Sequence, residues 1–164
     1  MDLKEKVAIV TGGSNGIGKE IARQLVEEGA KVYITGRDQE RLNLAAQEIG
    51  AIGICADASV ELDVNKVFDL VKAENNTLDI LVNNAGFGVG WAELGELNMD
   101  DMLRVYQTNV FGATMMGQEA ARIFKTQKSG NIINIGSTAS VKGYANGSIY
   151  ASSKFALRGL SQCW

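Results

Sequence analysis

A tyrosine and a lysine stand four positions apart in "SIYASSK", residues 148–154, among small residues. On a helix, residues four apart share a face, so the Lys154 ammonium would lie beside the Tyr150 ring. A free phenol keeps its proton up to a pKa of about 10, and a neighbouring cation favours the phenolate. Bringing such a group to neutrality needs about 4 kcal/mol of differential stabilisation, the order supplied by one close cation in a partly dry site. Tyr150 is therefore a candidate proton donor and acceptor near pH 7; filling a core is the alternative. The chain has no histidine, which removes the commonest general base and the commonest metal ligand. Acid–base chemistry falls to Tyr, Lys, Asp, Glu or Cys, and no metal site is expected.

Such a pair needs a scaffold, and the chain supplies an alternation of two periods. Short apolar runs at 6–11, 31–35, 51–56, 78–83 and 131–136 read as strands. Between them, helical periods cover 16–28, 38–49, 60–74 and 100–126, with a last helix starting near 149. Ile17, Ile21 and Leu25 predict one apolar face of the first helix, packed on the sheet. Strands apolar on successive residues imply burial on both faces, as in a parallel sheet covered by helices. The expected fold is α/β, a Rossmann-like doubly wound parallel sheet with helices on both faces, in one domain over 1–164.

Folds of this kind bind ligands beyond the carboxyl ends of their strands, so the strand ends are where function is legible. The first ends in "TGGSNGIG", Thr11–Gly18. Gly12, Gly16 and Gly18 allow a tight turn, and the helix that follows aims its free N–H groups and positive dipole at a phosphate. Ser14, Asn15 and Ile17 complete this candidate loop. The second strand ends in Gly36-Arg37, where an acidic residue often grips the ribose hydroxyls. Arg37 suits a 2′-phosphate, so NADP(H) rather than NAD(H) is expected, against the alternative of a solvated loop cation. Asp57 and Ala58 close the third strand, where Asp57 either accepts from the adenine amino group or stands as a solvated strand end. The fourth ends in "NNAG": Asn83, Ala85 and Gly86 let the backbone approach a flat ligand, and Asn84 reads as a stabiliser. Ser137, after the fifth strand, would share the carboxyl edge with Tyr150, although a serine there also caps turns.

Composition narrows the partners. A net charge of −3 and no basic run longer than two residues argue against nucleic acid or an anionic membrane surface. Two cysteines without a CxxC pair do not make a disulfide scaffold. With no long apolar segment near Met1 or elsewhere, a cytoplasmic location is expected.

TGxxxGxG at 11–18, NNAG at 83–86, NxxG at Asn109–Gly112, a serine at 137 and YxxxK at 150–154 together resemble the short-chain dehydrogenase/reductase family in order and spacing. The single-domain members, such as 3-oxoacyl-carrier-protein reductases, are the nearer likeness; the epimerase branch has a different glycine spacing. The resemblance implies catalysis by Ser137, Tyr150 and Lys154 with Asn109 as fourth member. In that scheme Ser137 holds the substrate oxygen, Tyr150 exchanges its proton, Lys154 also grips the nicotinamide ribose, and Asn109 anchors a proton-relaying water. It implies hydride transfer between NADP(H) and a small carbonyl or alcohol substrate, in a homodimer or homotetramer. Family members run on through two more strands and a substrate loop, whereas this sequence stops inside its last helix at "LSQCW". The expected fold is therefore truncated relative to the family, after the fifth strand and the start of the following helix, and a dinucleotide-binding fragment without turnover is the alternative function.

Overall fold

In a computed structural model, which describes residues 2–164, strands and helices alternate along the chain. The strands β1 (Val7–Val10), β2 (Lys31–Gly36), β3 (Ile52–Cys55), β4 (Ile80–Asn83) and β5 (Asn131–Asn134) are all parallel, in the order β3-β2-β1-β4-β5. Between them lie α1 (Gly16–Glu27), α2 (Gln39–Ile49), α3 (Glu61–Glu74), α4 (Met99–Tyr106) and α5 (Ala113–Gln127), and α6 (Ser148–Cys163) follows β5.

Alternate strand residues face opposite sides of the sheet, and here both sides are covered. Val7, Ile9, Tyr33 and Leu81 pack with Val67 and Phe68 of α3 and Met116 of α5. Ala8, Val10, Ile34 and Val82 pack with Ala22 of α1 and Leu42 and Ala45 of α2. This is the doubly wound Rossmann-type sheet expected from the apolar runs. The order reverses between β1 and β4, and the topological switch opens a crevice above their carboxyl ends. β5 is an edge strand in this sheet, and its Ile133 is 47% exposed.

Two local expectations change. Ile21 and Leu25 pack against the core, but Ile17 is 66% exposed. It sits in the first turn of α1, above the end of β1, where no sheet remains to cover it. The helix expected over 100–126 is interrupted by a π-helical segment, Gln107–Gly112. That wider turn rotates the next helix relative to α4. It also brings Gly112 so close to the β3–α3 loop that a Cβ there would lie 2.7 Å from the Ala58 carbonyl oxygen. Insertions of this kind cluster at functional sites.

Candidate active site

One cleft of about 750 Å³ runs along the carboxyl edge of the sheet, from the β1–α1 turn and the β2 end to the start of α6. Its floor is set by glycines. Gly12 has φ +65°, a left-handed conformation that favours glycine. Gly18 is closed in by its neighbours: a Cβ there would lie 2.3 Å from Asn84 Nδ2 and 2.4 Å from the Gly12 carbonyl oxygen. Asn84 Nδ2 donates to the carbonyls of Thr11 and Gly12, at 2.9 and 3.2 Å, so Asn84 holds the turn in shape. Asn15 precedes α1 without a side-chain cap, which leaves the N–H groups of Gly16, Ile17 and Gly18 open to the cleft. A turn this tight beneath free N–H groups fits a dinucleotide's pyrophosphate.

At the β2 end, Arg37, Asp38, Arg41, Asp57 and Ala58 line the cleft. Arg37 Nη1 lies 3.7 Å from Asp57 Oδ2 and is largely exposed. The other Asp57 oxygen accepts from the N–H and hydroxyl of Ser59. Asp38 caps α2, accepting from the Arg41 N–H at 3.0 Å and pairing with its guanidinium at 3.1 Å; these contacts hold its carboxyl below the usual range. Arg41 escaped the sequence reading. The signal was present, one helical turn after Arg37.

At the far end, Gly86, Tyr150 and Lys154 line the same cleft. Lys154 Nζ lies 5.9 Å from the centre of the Tyr150 ring, so the pair shares a face of α6. The lysine is 5% exposed and donates to the Ile135 carbonyl at 2.7 Å. Burial pushes its ammonium below the ordinary lysine value. The Tyr150 ring packs on Gly88, where a Cβ would lie 3.2 Å from Cδ2.

Asn109 is buried in the π segment behind this pair. Its Oδ1 accepts from the Phe87 N–H at 3.0 Å, and its Nδ2 donates to the Phe87 carbonyl at 2.9 Å and to Ser153 Oγ at 3.0 Å. Ser153 in turn donates to the Tyr150 carbonyl at 2.7 Å. This chain fixes the π segment, the loop after β4 and α6 to one another, and Ser153 had no sequence signal beyond its place in the helix.

Besides Asn109, which lies behind the cleft lining, two further sequence candidates stand apart from it. Asn83 is buried; its Nδ2 donates to the Ala113 carbonyl and to Asn134 Oδ1, tying β4 to α5 and β5. The Ser137 hydroxyl accepts from the Ala139 N–H at 3.1 Å, and the Ser137 N–H donates to Ser140 Oγ at 3.0 Å. Ser137 thus caps a short turn, Thr138–Ser140, one residue beyond the cleft-lining Gly136. Among the described residues no cluster of His, Cys, Asp and Glu fit to hold a metal ion occurs, and no helix is long and apolar enough to cross a membrane.

Residues 6–164 match the protein family described as short chain dehydrogenase. The chain is 37% identical to the oxidoreductase asL5 of Sarocladium schorii, over 99% of its own length and 66% of that protein. It is 32% identical to the 3-oxoacyl-[acyl-carrier-protein] reductase of Bos taurus, over 96% and 67%. Among solved structures, an NAD+-bound xylitol dehydrogenase superposes with a TM-score of 0.94 at 33% identity, over 99% of this chain and 65% of that one. The chain thus spans about two thirds of the length of these relatives.

Proposed function

We propose, from the premise that this chain belongs to the short-chain dehydrogenase family, that it is the dinucleotide-binding and proton-transfer part of an NADP(H)-dependent oxidoreductase. The observation that carries the reading is one continuous cleft joining a phosphate-sized glycine turn to the Tyr150–Lys154 pair. The N–H groups of Gly16, Ile17 and Gly18 would hold the pyrophosphate, beside Gly12, Ser14 and Asn15. Arg37 and Arg41 would face the adenosine ribose, with Asp57 and Ala58 along the adenine. Ala85 and Gly86 would pass close under the nicotinamide, and Lys154 would hold its ribose.

The bound dinucleotide supplies the hydride, exchanged with the carbon of a small carbonyl or alcohol. The chain's own residues handle the proton and the geometry. Tyr150 donates a proton to the carbonyl oxygen, or takes one from the alcohol. Lys154 puts a positive charge beside the phenol; the dry setting lowers the lysine's own proton affinity but strengthens the pull of the ammonium on a phenolate. Ser137 would hold the substrate oxygen once its hydroxyl turns from the Ala139 N–H. Asn109 fixes the π segment and α6 and carries the backbone that would anchor a relaying water. Large apolar residues exposed on α4, the π segment and α6 (Leu103, Phe111 and Phe155) support assembly as a homodimer or homotetramer.

The cofactor assignment is tested by calorimetric titration with NADPH and NADH. A charge-assisted contact contributes about 1.5–3 kcal/mol, so NADPH should bind at least about tenfold more tightly. Arg37→Ala should narrow the gap, and Arg37→Ala with Arg41→Ala should close it. Equal affinities in the parent protein would contradict the NADP(H) reading.

A further inference from the structure

We infer that the reaction end of the cleft takes an uncharged, flat, apolar ketone or secondary alcohol, held against Trp91 and Tyr144; the inference rests on the dinucleotide reading above. The two ends of the cleft differ in charge. Four charged side chains, Arg37, Asp38, Arg41 and Asp57, line the β2 end, whereas around Tyr150 the lining includes Phe87, Val89, Trp91, Tyr144 and Ile149. Lys154 is the one cation lining that end among the described residues, and its ammonium is buried and bonded to the Ile135 carbonyl. Arg104 stacks over the Phe87 ring at 5.8 Å but is paired with Asp101 at 3.0 Å. A carboxylate or phosphate on the substrate would therefore lose its water at this end without meeting an unpaired cation.

The aromatic wall is a built feature. Trp91, in the loop between β4 and α4, meets Tyr144, in the loop before α6, edge to face at 6.3 Å and 86°. The Ala92 N–H donates to the Asn146 carbonyl at 3.0 Å, and Tyr144 Oη donates to Thr138 Oγ1 at 2.8 Å. The first bond clasps the two loops together beside the cleft, and the second fixes Tyr144 within its own loop. Gly147 makes room for the indole: a Cβ there would fall 2.5 Å from Trp91 Cζ3. Its φ of −94° suits any L-residue, so the ring's position, and not the backbone, calls for glycine. Yet Trp91 stays 69% exposed and Tyr144 40% exposed. Two fixed aromatic rings left bare at a ligand cleft gain most from a flat apolar molecule that covers them.

The test uses Trp164→Phe protein, in which Trp91 is the one tryptophan left, saturated with NADP+ so that no turnover occurs. Indole fluorescence is titrated with 4-methylacetophenone and with 4-acetylbenzoate, which differ in charge at nearly constant size. The neutral ketone should quench and bind at least about tenfold more tightly than the anion. Adding Gly147→Ala should weaken the ketone about tenfold and leave the calorimetric NADP+ affinity unchanged, which also shows that the variant is folded. Equal or tighter binding of the anion, or ketone affinity untouched by Gly147→Ala, overturns the inference while the dinucleotide reading stands. Failure of NADP+ itself to bind overturns both.

Discussion

Tyr150→Phe should lower turnover by about 10³-fold, the scale of a lost general acid–base group, with NADPH affinity within about threefold of the parent. The structure makes this substitution clean. The Tyr150 ring rests on Gly88, and Lys154 keeps its own bond to the Ile135 carbonyl. Ser153 holds Tyr150 by the backbone carbonyl, not by the phenol. Among the described residues no protein group bonds to the phenolic oxygen, so its removal breaks no hydrogen bond there and should change stability by no more than about 0.5 kcal/mol. A tyrosine retained only for packing would give parent-like kinetics in this variant. Stopped-flow or steady-state absorbance of NADPH separates the two outcomes, and persisting turnover would end the acid–base role.

Gly18→Ala should act at the other end of the cleft and on two properties at once. Its methyl group would meet Asn84 Nδ2 at 2.3 Å and the Gly12 carbonyl oxygen at 2.4 Å. Asn84 cannot yield without losing its bonds to Thr11 and Gly12, and the Gly12 oxygen is backbone. The start of α1 must therefore lift from the turn. Overpacking of this kind costs about 1–3 kcal/mol, readable by chemical denaturation. The displaced N–H groups of Gly16, Ile17 and Gly18 should bind NADP(H) at least about tenfold more weakly. Unchanged affinity in a destabilised variant would show that these N–H groups do not carry the pyrophosphate.

The architecture was legible because apolar runs and helical periods report burial directly. Val7 through Val10 are buried on both faces, as an unbroken run at a central strand requires. The pair at 150 and 154 was legible because helical spacing fixes a shared face whatever surrounds it. Features made by backbone irregularity were not. The π segment at Gln107–Gly112 leaves no periodic trace, yet it sets where Asn109 points. Ile17 has the spacing of a core residue and lies above the end of the sheet, because periodicity says nothing of where a neighbouring strand stops. The Trp91–Tyr144 clasp joins residues more than fifty positions apart across two loops, and no local pattern encodes such a meeting. Asn83 and Ser137 were legible from their places at and just after strand ends, but the bonds their side chains make within the fold were not.

The central claim is that a nicotinamide dinucleotide lies along this cleft with its reactive ring at Tyr150. A crystal structure determined with NADP+ tests it most directly. The account predicts the pyrophosphate on the N–H groups of Gly16 to Gly18, the phosphorylated ribose at Arg37 and Arg41, and the nicotinamide beside Tyr150 and Lys154. A dinucleotide bound elsewhere, or reversed so that its adenine sits at Tyr150, would contradict it.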